Sequence, residues 1–182
     1  MLTPPQAAAP RRSPAIILGT FLAALFCIAI ATPAAFAAER WETYRNARFG
    51  YVLSYPSSVF EPQPPSEKGD GQTFLTKDGR AKIVVYGTIN DERFSPAQYR
   101  STILKQFAGY NEMDYSPRGK SWFVLSGFRD DVIYYQKVMF SCGERVINAL
   151  SVTFPRKEKK FYEGLIEVME DSFKPGSGEG CR

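Results

Sequence analysis

The chain contains no histidine, and this limits the chemistry its side chains can do. Ser-His-Asp and Cys-His arrangements need an imidazole to take and return the proton. General acid–base work near neutral pH, and most zinc sites, draw on the same side chain. Carboxylates, cysteines and cations remain. Asp130 and Asp131 are adjacent but fall between two β-patterned runs, where a hydrated hairpin tip is expected rather than a glycosidase pair. Asp70, Asp78, Asp91 and Glu92 fall near the ends of neighbouring strands and could share a calcium ion. They lack EF-hand spacing, however, and turn formation accounts for Asp70 and Asp78. The sequence therefore assigns no catalytic residue, metal ligand or cofactor, and the expectation is a protein that is not an enzyme.

Two groups of cations could bind rather than react. One is Arg118 with Lys120; the other is Arg156, Lys157, Lys159 and Lys160. Either would suit an anionic lipid headgroup, lipopolysaccharide or an acidic protein surface, and for the second a solvated helix face is the plain structural role. A further candidate is the rim of an aromatic-lined cleft between sheet and helix, formed by Asp70 and Gly71 with Tyr51, Tyr55 and Tyr86.

The ends of the chain say where these groups work. Arg11 and Arg12 precede an uncharged run from Ala15 to Ala31, then Pro33 and the small-residue site Ala35-Phe36-Ala37. That is the order of a secretory signal peptide over residues 1–37, cut near Ala37 and pointing to a periplasmic or secreted protein. An uncleaved anchor is the alternative, since seventeen residues reach the lower limit for spanning a bilayer. Cleavage leaves 145 residues in a single domain over 38–174 with a flexible tail, 175–182. Two arginines leave with the leader, so the net charge falls from +4 to +2, too little to suggest a nucleic-acid partner. Cys27 leaves as well. Cys142 and Cys181 remain as an even pair in an exported chain, either bonded to each other, tying down the tail, or free.

The elements that position these residues follow from periodicity. Ala81-Lys82-Ile83-Val84-Val85-Tyr86-Gly87 is apolar on both faces and belongs inside a sheet that is covered on two sides. Glu39 to Asn46 reads as a short edge strand, and Phe49 to Tyr55 as a strand with Tyr51, Leu53 and Tyr55 on one face. Ser57 to Lys68 reads as an extended Pro-rich connection. Asp78-Gly79 is a type I′ hairpin signal. Ser95-Pro96-Ala97-Gln98 is a helix start with a capping box, and Tyr99, Ile103, Phe107 and Tyr110 then share a face. Three strands between Trp122 and Phe154 form a meander. A last helix, Arg156 to Phe173, carries a stripe of Phe161, Leu165, Val168, Met169 and Phe173, flanked by Tyr162 and Ile166. The fold class is therefore α+β, an antiparallel sheet covered by helices.

This order of elements, with the opening Phe49-Gly50-Tyr51-Val52-Leu53-Ser54-Tyr55-Pro56 and Phe60 shortly after, resembles the PsbP-like α/β/α sandwich. That group includes photosystem extrinsic subunits, a nuclear-transport cofactor and bacterial envelope proteins of the DcrB type. Gly69-Asp70-Gly71 with Asp78-Gly79 resembles a set of secreted proteobacterial proteins. The resemblance brings no functional residue to a matching position. It implies an accessory or binding role, hence a non-enzymatic envelope protein that meets another protein or an anionic surface, with peripheral membrane contact as one form. A small-molecule carrier using the aromatic cleft is the alternative. Fold alone does not choose between them.

Overall fold

The period-two runs become strands and the two period-3.6 runs become helices. The computed structural model describes residues 39–106 and 111–181, with backbone alone for 111–114. In chain order these are β1 (Trp41–Arg45), β2 (Val52–Pro56), β3 (Glu61–Pro62), β4 (Gly71–Leu75), β5 (Lys82–Ile89), α1 (Pro96–Gln106), β6 (Asn111–Tyr115), β7 (Trp122–Arg129), β8 (Val132–Ser141) and β9 (Val146–Pro155). One 3₁₀ turn (Arg156–Glu158) then leads into α2 (Lys159–Ser172). The described residues fall in one unit. The leader and its cleavage site, with Phe107 and Tyr110 of the expected first helix face, lie outside the described residues.

Seven strands make one antiparallel sheet in the order β3-β4-β5-β9-β8-β7-β6. The doubly apolar strand β5 lies between β4 and β9, an interior place as its composition demands. After β5 the chain passes through α1 to β6 at the far edge and returns strand by strand to pair β9 with β5. Alternation sorts the meander onto two faces. One carries Ile133, Tyr135, Leu150, Val152 and Phe154 beneath Tyr162, Leu165, Ile166 and Met169 of α2. The other carries Phe123, Leu125, Tyr134, Val138 and Phe140 beneath Ile103 and Tyr99 of α1. The capping box at the start of α1 closes as expected: Ser95 N–H donates to Gln98 Oε1 (2.9 Å) and Gln98 N–H to Ser95 Oγ (3.3 Å).

Five local expectations differ from the structure. First, β1 and β2 pair with each other as a separate two-stranded sheet. It stands on the α2 side of the main sheet and drives Tyr51, Leu53 and Tyr55 into the core, so the cover on that side is a helix plus a hairpin. Second, the Pro-rich connection contains β3; Pro62 is tolerated there because β3 is an edge strand.

Third, the Asp78-Gly79 turn is not type I′, which needs positive φ at both central residues. Gly79 has φ 68° and Asp78 is not among the left-handed residues. The Asp78 carboxylate instead ties the loop, accepting from Thr76 Oγ1 (2.7 Å) and from Arg80 N–H (3.1 Å).

Fourth, the α2 stripe is rotated. Tyr162, Leu165, Ile166 and Met169 are buried, whereas Phe161 and Val168 are 48% and 45% exposed. The ring of Tyr162 stacks on Phe154 at 4.9 Å, which sets the helix's rotation and turns Phe161 outward. α2 has no side-chain N-cap and no acidic residue in its first turn, so packing rather than capping holds it.

Fifth, the tail is strapped down along its length. Val52 and Lys174 exchange backbone hydrogen bonds (both 3.1 Å), Gly178 N–H donates to Phe49 O (3.0 Å) and Glu179 N–H to Arg48 O (2.9 Å). Arg48 grips both Glu179 carboxylate oxygens at 2.6 and 3.0 Å. A Cβ on Gly176 would lie 2.1 Å from Phe49 O, so glycine is required where the strap touches the hairpin. The Cys142–Cys181 disulfide closes it.

Candidate functional site

The site is built where α2 passes the outer strands. Between them lies a groove of about 610 Å³. Phe128 of β7, Ile133 and Tyr135 of β8 and Phe154 of β9 form its floor, all on the α2 face by the period-two rule. Glu163, Ile166, Glu167 and Glu170, spaced three and four residues apart on α2, form one wall. Arg156 and Lys159 stand at the end where the 3₁₀ turn enters the helix. Tyr115, the last residue of β6, stands on the opposite rim with half its surface exposed.

Polar contacts hold the floor to the wall. Tyr135 Oη donates a short hydrogen bond to the Glu170 carboxylate. Lys137 Nζ lies 3.2 Å from another oxygen of that carboxylate and donates to Glu170 O at 3.2 Å. Burial, with Glu170 beside it, pushes the Tyr135 phenol well above its ordinary value, so it stays a neutral donor. The Arg156 guanidinium lies 3.9 Å from the centre of the Phe128 ring, a cation–π contact that keeps its charge at the groove's mouth. Lys159 Nζ lies 3.5 Å from Glu163 Oε1. The result is an aromatic trough with positive charge at one end and carboxylates along one side.

The residues singled out in the sequence are dispersed. Arg156 and Lys159 line the groove, whereas Lys157 and Lys160 are exposed outside it. Arg118 and Lys120 precede β7, at the end of the strand opposite Arg129 and the Arg156 turn. The eight residues of β7 span about 23 Å at strand rise, so the two basic groups are separate surfaces.

The expected cleft at Asp70, Gly71, Tyr51, Tyr55 and Tyr86 is filled. Tyr51 is fully buried, its hydroxyl proton shared between Asp70 O (3.0 Å) and Val85 O (3.2 Å). Tyr55 packs on Phe74 at 4.3 Å, and Gly71 lies so close to β5 that a Cβ would sit 2.7 Å from Val85 O. The Asp70 carboxylate accepts from Ser66 Oγ (2.6 Å). Tyr86 lies on the other face of the sheet, beneath α1. An aromatic groove between sheet and helix does exist, but other residues make it. Phe128 could have been found by counting alternate residues from Trp122. Tyr115 could not, because the β6–β7 register shifts between Asn111 and Tyr115 and breaks the count. Among the described residues no three Cys, Asp or Glu side chains group to hold a metal ion.

A seven-stranded antiparallel sheet with a helix on each face makes an α+β sandwich, the fold class of PsbP-like proteins. The solution structure of cyanobacterial PsbP (CyanoP) from Synechocystis sp. PCC 6803 superposes with a TM-score of 0.55 at 11% identity, covering 80% of this chain and 98% of that one. The Saccharomyces cerevisiae Ran-binding protein Mog1p superposes with a TM-score of 0.51 at 9% identity, over 76% of this chain and 96% of that one. No protein-family model matches the sequence, and no curated protein matches it. The likeness is thus one of fold.

Proposed function

We propose that this is an exported, non-enzymatic accessory protein that holds a segment of a partner protein in the groove between α2 and β6–β8. The observation that carries the reading is Tyr115, an aromatic side chain left half exposed beside an apolar floor. Aromatic side chains are common anchors of protein interfaces once a partner covers them. The opposed charges of Arg156 and the Glu163–Glu167 wall would orient the bound segment. One solved protein of this fold is a Ran-binding protein, so the scaffold supports protein binding in that case. The leader pattern and the Cys142–Cys181 bond favour an oxidising compartment, the periplasm or the exterior.

The test is affinity capture from envelope extract with the oxidised protein, alongside Tyr115→Ser and Arg156→Glu variants. A protein captured by the wild type and lost with both variants supports the reading; capture that ignores both variants defeats it. The groove's volume also lies within the range of small-molecule pockets, which favours a carrier as the second reading. Native mass spectrometry of the purified protein decides between them, since a carrier would bring a low-mass ligand with it.

A further inference from the structure

We propose that the recess at the start of α1 is a binding site for a phosphate group. It is a separate site from the groove, at the other end of β7. Arg100, Arg118 and Lys120 line a hollow of about 330 Å³ together with Ser95, Ala97 and Trp122. No acidic side chain lines it, and no ion pair joins any of the three cations to a described carboxylate.

Arg100 makes this more than a solvated basic patch. Its Nε is shielded from solvent and has no hydrogen-bond partner among the described residues. A charged donor withdrawn from water without an acceptor is unfavourable; the side chain is part-exposed and lines the hollow, so a small turn of the guanidinium would give it an entering anion as acceptor. Arg100 lies four residues after Pro96, on the face of α1 that opens into the hollow. The Ala97 N–H, in the first turn, has no intrahelical acceptor and adds a neutral donor.

The walls are fixed as well. Gly119 N–H donates to Trp122 O (2.8 Å), and the indole lies where a Cβ on residue 119 would be 2.3 Å from its Nε1. Glycine there lets the ring close one side. Three cations around a small polar hollow match a dianion; a carboxylate would leave two of them uncompensated. Arginine forks suit phosphate oxygens.

The experiment is an NMR titration of the oxidised protein with inorganic phosphate at low ionic strength, following the Trp122 indole N–H, with chloride as the ionic-strength control. Saturable movement with phosphate and none with chloride is expected, weakened about tenfold or more by Arg118→Gln combined with Lys120→Gln. Lys157→Gln with Lys160→Gln should leave it unchanged. A non-saturating response, an equal response to chloride, or equal loss in both double variants would overturn the site. Co-sedimentation with vesicles then identifies the source. Capture by phosphatidic acid but not phosphatidylcholine vesicles assigns a lipid headgroup; phosphate binding without vesicle capture assigns a soluble phosphate or phosphorylated sugar. Tyr115→Ser should leave the titration intact, so failure of the groove and failure of this site are distinguishable.

Discussion

The α2 side of the sheet is two surfaces made from the same kinds of residue. Under the hairpin and tail, Tyr51, Phe60, Phe74 and Phe173 are almost wholly removed from water. Past α2, Phe128 is only partly buried at the floor of a trough, and Tyr115 stands half in solvent. Composition cannot account for the contrast, since both halves are rich in Tyr and Phe. The difference is cover: the first half has a hairpin, a glycine strap and a disulfide over it, and the second has one flank of a helix. Aromatic side chains closed on all sides hold the fold together, whereas Phe128 and Tyr115, left part-covered, contribute less to it.

The largest effects should therefore come from opening the closed half. Phe173→Ala removes a ring packed edge-on to Tyr51 at 6.2 Å where hairpin, helix and tail meet. It should cost about 4 kcal/mol in urea unfolding, and a loss below about 1 kcal/mol would mean that the hairpin is not part of the core. Replacing Cys142 and Cys181 by serine releases a cross-link spanning 39 residues and should cost about 4 kcal/mol. Three successive left-handed residues, Cys142, Gly143 and Glu144, shape the loop that receives the tail. Reduction of the wild type should lower its thermal midpoint to match the serine variant. An unchanged midpoint would show that the Arg48–Glu179 pair and the backbone bonds hold the strap without it.

How far each half could be read from sequence follows from the same contrast. Strands β5, β7, β8 and β9 declare themselves by alternation because both their faces are sorted by burial. The capping box of α1 is local chemistry and is equally visible. The hairpin's detachment from the main sheet was not legible, because Tyr51, Leu53 and Tyr55 alternate identically whether the strand joins a sheet edge or lies across its face. The rotation of α2 was hidden for a related reason. Phe161 and Val168 are as apolar as Tyr162 and Ile166, and only the contact with Phe154 selects between the two stripes. Of the groove, the cations Arg156 and Lys159 could be named in advance. Tyr115 lies past a bulge that removes the period on which such reading depends.

Smaller effects should sharpen the contrast through pH. Burial, and then the neighbouring Tyr44 phenol, raises the Tyr51 phenol above its ordinary 10.0. Burial and Glu170 do the same to Tyr135 across the groove. A raised folded-state value means that the folded protein holds the proton more tightly than the unfolded chain. The stabilisation is therefore complete below about pH 10 and is lost as pH rises toward the folded values. Urea unfolding followed from pH 8 to 11.5 should show the midpoint falling above pH 10. Tyr51→Phe should cost about 1 kcal/mol at pH 8 through the lost hydroxyl bond and make that alkaline fall shallower. An equally steep fall in the variant would place the titrating group elsewhere.

The smallest expected change in stability is the most informative about function. Tyr115 ends an edge strand and is 51% exposed, so Tyr115→Ser removes little buried surface and should move the unfolding free energy by no more than about 0.5 kcal/mol. Its effect on capture should be large. A bound segment lying across the trough would bury the Tyr115 ring at the centre of the interface, where truncating an aromatic anchor costs about 2 kcal/mol or more, near thirtyfold in affinity. Stability and binding thus respond in opposite senses in the two halves: Phe173→Ala weakens the fold, whereas Tyr115→Ser spares the fold and weakens capture. If Tyr115→Ser proves strongly destabilising, its ring is part of the core and the groove is closed in solution. If it changes neither quantity, the trough is a gap left by a sheet wider than its single helix, and the partner binds on another face.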